Sequence, residues 1–367
     1  MKIATLFAEN DQVIHLHKQN KELEICVISE IPTDWIKKSK LYPCLSLHKA
    51  IHMYHEGKID RFLVFPILKK NLSFFYEDVL KQDINEEDIL YVSLSQMVNN
   101  DFHLESFVTF RDRADLDYVS IHVMDCCNLK CAHCSSMSGL VKQEMNISFS
   151  KTSYSIYQLS HVYESVNYIQ IIGGEPLLND RIQEYCLLLR ECFPYAFIEI
   201  VTNGTLLLSQ HQNFFDMLNA LDVALLVSYY PINASYIDRI NAMLRNNDIT
   251  YTISDKIICF EKYYDFSGTS DINQTFWNCQ SAQYCKNGLT LYEDYIYPCV
   301  APISLFRADV IKDSTLYGIR ISEHTSRQDV NSLVKPLEIC KYCHMDQFQK
   351  WHQLENNELN CWESWSI

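Results

Sequence analysis

The sequence predicts an α/β protein in three parts: a small α/β domain over residues 1–112, a partly closed parallel sheet over 113–265, and a cysteine-rich module over 266–367. Three observations carry that reading. Short apolar runs alternate with helix-length segments from Tyr118 onward, and successive parallel strands need such crossovers. That rhythm stops near Asp265. Ten of the chain's 15 cysteines gather in two groups, one after residue 125 and one after residue 278.

In the first part, the apolar runs Glu24–Ile28, Arg61–Leu68 and Ile89–Leu94 alternate with helix-like stretches at Leu47–His55 and Phe74–Lys81. The order resembles the Rossmann-like domains that precede catalytic domains in surface-polysaccharide gene clusters. Dinucleotide binding needs a glycine-rich turn that admits pyrophosphate to a helix N-terminus, and this region offers Gly57 alone. A degenerate domain with a structural or recognition role is expected.

In the second part, strands are predicted at Tyr118–Met124, Tyr168–Ile172, Phe197–Val201, Val223–Ser228 and Thr250–Ile253. Helices are predicted at Ser150–Tyr163, Arg181–Cys192, Gln210–Ala220 and Ala234–Arg245. Five or six such units suit an open partial barrel. In the third part a hairpin is predicted from Leu289–Leu291 and Tyr295–Tyr297.

Composition bounds the function. With 48% apolar residues in 367, the chain can bury ordinary cores. Its apolar stretches, such as Val223–Val227, fall far short of the ~20 residues that a spanning helix needs. The start, MKIATLFAEN, reaches Glu9 before any apolar signal core develops, so a cytoplasmic location without membrane association is expected. A formal charge of −15 repels phosphate backbones and speaks against nucleic acid. So many cysteines in a reducing compartment point to metal. Cys26, Cys44, Cys186, Cys192 and Cys259, isolated in apolar surroundings, read as small buried hydrophobes.

The segment Cys126-Cys127-Asn128-Leu129-Lys130-Cys131-Ala132-His133-Cys134 holds one Cys-x3-Cys-x2-Cys register. Beginning at Cys126 would put Lys130 where a thiolate is needed, so Cys127 is the first ligand. Three thiolates can hold three irons of a cubane and leave the fourth open to a chelating small molecule. Zinc is the alternative, and it normally asks for a closed shell of four.

This spacing after a first strand resembles the signature of the radical S-adenosylmethionine (SAM) superfamily, and His133 fits the aromatic-type slot between the last two cysteines. The resemblance implies a [4Fe–4S] cluster on Cys127, Cys131 and Cys134. It also implies SAM on the open iron, an external electron donor such as flavodoxin or ferredoxin, and a 5′-deoxyadenosyl radical. Later motifs extend it along successive strand ends. Gly173-Gly174-Glu175-Pro176 resembles the motif that receives the SAM amino group, with the Glu175 carboxylate able to pair with an ammonium. Thr202-Asn203 and the following Gly204 resemble the motif near the ribose, and Ser228 matches a common polar contact. Ligands of parallel α/β folds sit at that edge.

Cys279, Cys285, Cys299, Cys340 and Cys343 remain. Cys285-Lys286-Asn287-Gly288, followed by a hairpin that ends at Tyr297-Pro298-Cys299, resembles the twitch module, a shortened SPASM extension that binds one auxiliary [4Fe–4S] cluster. A full SPASM run would need further cysteines between Met345 and His352, and there are none. Cys285, Cys299, Cys340 and Cys343 are the favoured ligands with Cys279 as substitute, and structural zinc stays open.

The expected activity is hydrogen abstraction from a small molecule, sugar or nucleotide-sugar-like, with net oxidation. The resemblance leans that way through its surface-polysaccharide members and the stretch Ser228-Tyr229-Tyr230-Pro231-Ile232. Maturation of a ribosomal peptide, by crosslinking or epimerisation, is the second reading, and a non-catalytic iron–sulfur protein the third. Catalytic residues stay unassigned: Glu175, Asp255 and Tyr229 are open as proton acceptors, and Cys126 and Cys361 read more simply as inert thiols than as hydrogen donors. Trp277, Trp351, Trp362 and Trp365 are expected to pack and to shield.

Overall fold

A computed structural model describes residues 1–28, 42–66, 79, 81–141, 147–279, 289–344 and 347–354. The predicted helix at Phe74–Lys81, apart from Val79 and Lys81, lies outside the described residues, as do Cys285, Cys361, Trp362 and Trp365. The chain divides into two compact units, Met1–Asp117 and Tyr118–Ile367.

The first unit is a sheet of β1 (Lys2–Leu6), β2 (Glu24–Ile28), β3 (Cys44–Leu45), β4 (Arg61–Val64), β5 (Ile89–Tyr91) and β6 (Val108–Thr109). Helices α1 (Asn10–Gln19), α2 (Leu47–His55) and α3 (Leu94–Asn99) accompany it. Strand order is β3-β2-β1-β4-β5-β6, parallel except for β6, as in doubly wound sheets. Side chains alternate across a strand, and this sheet has an apolar core on each face. Ala4, Leu6, Cys26, Ile28, Phe62 and Val64 fall in one core; Ile3, Ile25, Val27, Leu63 and Phe65 fall in the other. The central strand β1 escaped the sequence reading, because its five residues carry no flanking turn signal. At the turn from β1 into α1 stands Glu9, whose backbone N–H donates to the Gln12 side chain at 2.7 Å. A carboxylate at a helix start is favoured by the positive end of the helix dipole.

The second sheet contains β7 (Asp115–Met124), β8 (Ser165–Gly173), β9 (Phe197–Thr202), β10 (Val223–Val227), β11 (Tyr251–Ile253), β13 (Thr290–Tyr292), β14 (Tyr295–Tyr297) and β15 (Ile319–Arg320). Between its first five strands run α4 (Phe149–Val162), α5 (Ile182–Cys192), α6 (Gln212–Ala220) and α7 (Ile237–Asn246). The strand order is β11-β10-β9-β8-β7-β13-β14-β15. Residues 266–367, read above as a separate module, belong to this unit, because β13 pairs in parallel with β7 through Ser120–Thr290 and His122–Tyr292. The predicted hairpin forms as β13 and β14. A smaller ribbon pairs β12 (Cys259–Glu261) with β16 (Phe348–Lys350), and the region also holds α8 (Ile272–Asn278), α9 (Ala301–Arg307) and a short helix at Arg327–Asn331.

Buried polar side chains tie the strands together. Tyr118 donates to Gln170 at 2.8 Å, Gln170 to the Tyr168 hydroxyl at 2.6 Å, and Tyr168 to Glu199. Cys26 and Cys186 are buried as expected, and burial pushes their thiols up to about 11 and about 12. Cys44 and Cys259 are exposed, against expectation, because both lie on short two- or three-residue strands at a sheet margin. Among the described residues no helix is long and apolar enough to cross a membrane.

Candidate active site at the strand ends

β7 ends at Met124, and the cysteine loop begins there. Lys130 (φ 49°) and His133 (φ 57°), the residues immediately before Cys131 and Cys134, are left-handed, as is Met137 (φ 51°). Non-glycine residues pay about 1–2 kcal/mol each for that conformation. It turns the loop sharply before Cys131 and Cys134, and strain of this kind gathers at functional sites. Packing sustains it: Met137 is fully buried, and a Cβ at Gly139 would lie 2.6 Å from the Lys130 Cα. His133 is buried within the loop.

The three thiols share one electrostatic environment. Burial pushes the Cys127 thiol up to about 12, with Cys134 and Glu175 adding to the shift and the Leu129 N–H and Asn203 opposing it. Burial also raises Cys131, with Cys134 and Cys127 nearby contributing, and it raises Cys134 against the N–H groups of Ser138, Ser136 and Met137. Thiols that resist ionisation together are ionised by a metal that coordinates them. Among the described residues no group of three or more His, Cys, Asp or Glu converges as for a single ion. A cubane asks for a different arrangement, since each thiolate binds a separate iron at a separate corner.

The Gly-Gly motif follows β8 and lies against this loop. The Gly174 N–H donates to the Met124 carbonyl at 2.7 Å, and the Glu175 N–H to the Cys126 carbonyl at 3.0 Å. A Cβ at Gly173 would sit 2.2 Å from the Met124 oxygen, and one at Gly174 2.0 Å from the Cys126 oxygen. The glycines therefore admit the chain's own backbone. Pro176 is buried and opens a short 3-10 turn.

The expectation for the Glu175 carboxylate changes. It is fully buried and accepts from Thr202 Oγ1 at 2.7 Å, the Asn203 N–H at 2.8 Å and the Leu177 N–H at 3.0 Å. Its charge faces the Thr202-Asn203 turn, so pairing with an ammonium group requires it to leave these donors. Burial raises its pKa to about 7, with the three donors opposing.

Asn203 joins that turn to the thiols: its Nδ2 lies 3.6 Å from Cys127 Sγ and donates to Asn128 Oδ1 at 2.8 Å. Ser228 is half-buried at the end of β10, and its N–H donates to the Thr202 carbonyl at 2.9 Å. Asn233, which the sequence reading missed, bridges the Asn203 carbonyl at 3.0 Å and the Ser228 carbonyl at 2.9 Å. No local motif flags it. Tyr229 is half-buried and Asp255 is exposed. Cys126 is buried, with its Sγ 3.4 Å from Met124 Sδ.

C-terminal residues hold the loop from the other side. Tyr264 and Ser304 donate to the Ser135 carbonyl, the latter at 2.8 Å, and Arg307 donates to the Ser136 carbonyl at 3.2 Å and to Asp125. Near residues 129–132 runs the segment 351–354, with the Trp351 indole N–H 3.2 Å from Cys131 Sγ. Trp277 is 40% exposed, so the packing expected of it is incomplete.

A pocket elsewhere in this unit is lined by Cys279, Cys299, Cys340 and Cys343 together with Phe276, Leu337 and other residues. Burial raises Cys299, Cys340 and Cys343, and each of the three is also raised by neighbours within the group. Cys279, the substitute in the sequence reading, is thus gathered with the other three.

Residues 121–256, which carry the cysteine loop and the strand ends that converge on it, match the radical SAM superfamily. They are a radical SAM domain. Such domains are enzyme domains that use a [4Fe–4S] cluster and SAM, and the donor set of the cysteine loop fits that cluster. The chain is 36% identical over 96 residues to the GTP 3′,8-cyclase of Clostridium acetobutylicum, which covers 25% of this chain and 29% of that protein. It is 28% identical over 92 residues to the GTP 3′,8-cyclase of Alkaliphilus oremlandii, with 25% and 29% covered. The chain thus spans less than a third of the length of these curated relatives. Among solved structures it is similar to BtrN in complex with AdoMet and 2-DOIA (TM-score 0.41, 17% identity, 62% of this chain and 93% of that one). It is also similar to anSMEcpe with bound AdoMet and the Cp18Cys peptide (TM-score 0.31, 17% identity, 38% and 42% covered).

Proposed function

We propose that the chain is a radical SAM enzyme that holds its cluster on Cys127, Cys131 and Cys134 and abstracts hydrogen from a small molecule, sugar or nucleotide-like, with net oxidation. When bound, the cluster and SAM supply reductive cleavage of SAM to a 5′-deoxyadenosyl radical. The observation that carries the reading is the chain of bonds from Cys127 through Asn203 to Glu175, which joins the thiol loop to two further strand ends. Those residues orient the loop, and burial of Cys131 and Glu175 excludes water from its inner side.

His133, Gly173, Gly174, Glu175, Pro176, Thr202, Asn203 and Ser228 are the proposed SAM-side residues; Glu175 acts by holding the Thr202-Asn203 turn. Cys279, Cys299, Cys340 and Cys343 would hold one auxiliary [4Fe–4S] cluster in a module of the twitch or SPASM kind, supported by their shared pocket. A one-electron donor of the flavodoxin or ferredoxin class would serve the enzyme in a cytoplasmic setting. GTP, named for the curated relatives, stands beside nucleotide sugars as a substrate to try.

The test is anaerobic reconstitution with iron and sulfide, then dithionite and SAM. Wild-type protein is expected to release 5′-deoxyadenosine, and Cys127→Ala to fall to background. Absence of 5′-deoxyadenosine from a fully loaded wild type, with GTP, nucleotide sugars and peptides all offered, would favour the non-catalytic reading.

A further inference from the structure

Cys131 receives a hydrogen bond from far along the chain. Cys127 draws donors from its own loop and from Asn203 at the end of β9, and Cys134 draws backbone N–H groups from Ser136, Met137 and Ser138. At Cys131 the backbone N–H of its own residue is joined by the Trp351 indole, 220 residues away, with its Nε1 3.2 Å from the sulfur.

The indole is held on several sides. Its ring stacks on Tyr230 with centroids 5.5 Å apart and planes at 26°, and its backbone N–H donates to the Ile258 carbonyl at 2.9 Å. The residues beyond it run against the cysteine loop. The Ala132 N–H donates to the His352 carbonyl at 3.1 Å, the Leu354 N–H to the Lys130 carbonyl at 2.9 Å, and the Gln353 side chain to the Leu129 carbonyl at 2.8 Å. Cys131 and Gln353 form an antiparallel bridge. Upstream, β16 pairs with β12.

An indole N–H is a donor only, so at this distance it donates to the sulfur. Hydrogen bonds to ligand sulfur draw electron density from an iron–sulfur cluster, stabilise its reduced form and raise its potential. We infer that Trp351, presented by the strap 348–354, is a positioning residue that raises the reduction potential of the cluster on Cys131 and so eases its reduction by the external donor. The inference rests on the cluster site proposed above. It makes redox competence depend on docking of the strap.

The measurement is the midpoint potential of the SAM-site cluster, followed by EPR and recognised by its response to added SAM, in wild type and Trp351→Phe. Phenylalanine keeps an aromatic ring for Tyr230 and removes the N–H. The expected result is full iron content with a potential shifted to more negative values. Full iron with an unchanged potential would overturn the inference. Should the variant take up little iron, the reduced wild-type enzyme carrying 15N-indole tryptophan decides by electron–nuclear double resonance. A 15N coupling to the cluster supports the bond, and absence of coupling removes it. Wild-type protein that takes up no cluster sinks the proposed function itself, so the two failures are distinguishable.

Discussion

His122 shows what one buried side chain contributes near this site. It lies in β7, fully buried, with Nε2 3.5 Å from Asp125 Oδ1, and its ring meets Tyr292 edge-on at 5.6 Å. Burial pushes its pKa down to about 4; Asp125 opposes that shift, and Arg307, which bonds to Asp125, adds to it. The folded chain therefore binds fewer protons than the unfolded chain between pH about 4 and about 6.5. Stability from this group is fully present above pH 6.5 and is lost as pH falls toward 4, by about 3 kcal/mol in all. His122→Phe cannot titrate. Thermal melts of iron-free protein at pH 7 and pH 5 are expected to show a larger drop for wild type than for the variant. Equal drops would mean that His122 binds protons alike in the folded and the unfolded chain and contributes nothing to the pH dependence. Cys44 and Cys259 carry the opposite lesson at this scale: burial of a lone cysteine was inferred from apolar neighbours, but short marginal strands leave both sulfurs exposed.

At the scale of elements, the site is a set of strand ends pressed against one loop, and Gly174 is the tightest point of contact. An alanine Cβ there would sit 2.0 Å from a carbonyl oxygen and 2.3 Å from the carbonyl carbon of Cys126, and backbone cannot swing aside as a flexible side chain can. Gly174→Ala is expected to cost at least about 2 kcal/mol, to break the bonds from Gly174 to Met124 and from Glu175 to Cys126, and to lower iron uptake. Gly57→Ala is the control, since open space surrounds Gly57 and only its φ of 67° is strained. Melting temperature and iron content check both; normal uptake by Gly174→Ala would show that the contact does not organise the loop. These strand ends were legible in the sequence because each couples an apolar run to a glycine or asparagine turn within a few residues. β1, β12 and β16 were not: β12 and β16 hold only Cys259–Glu261 and Phe348–Lys350, with charged residues at Glu261 and Lys350, and their pairing spans most of a hundred residues of chain. Trp351 was named only as one of several tryptophans, for pairing across 220 residues leaves no local trace.

Across the second unit, one apolar core lies between the two groups of cysteines. Met137 of the cysteine loop packs there with Tyr264, Leu305 and Ile339, and Cys299, Cys340 and Cys343 border the same cluster. Tyr264 joins both sides, since its hydroxyl donates to the Ser135 carbonyl while its backbone bridges to Cys343. The Cys-x2-Cys pair at 340–343 was readable from spacing, whereas the choice of Cys279 as its companion needed the fold, because the end of α8 brings that residue to the pocket. Alanine at Cys127, Cys131 and Cys134 removes three ligands without touching Met137, Tyr264 or the four pocket thiols, so the shared core should persist. Each [4Fe–4S] cluster carries four irons, so reconstituted wild type is expected to hold about eight per chain and the triple variant about four. Iron and sulfide quantification, with a melting curve to establish that the variant is folded, decides the matter. A folded triple variant almost devoid of iron would remove the auxiliary cluster, and with it the argument that net oxidation is the outcome.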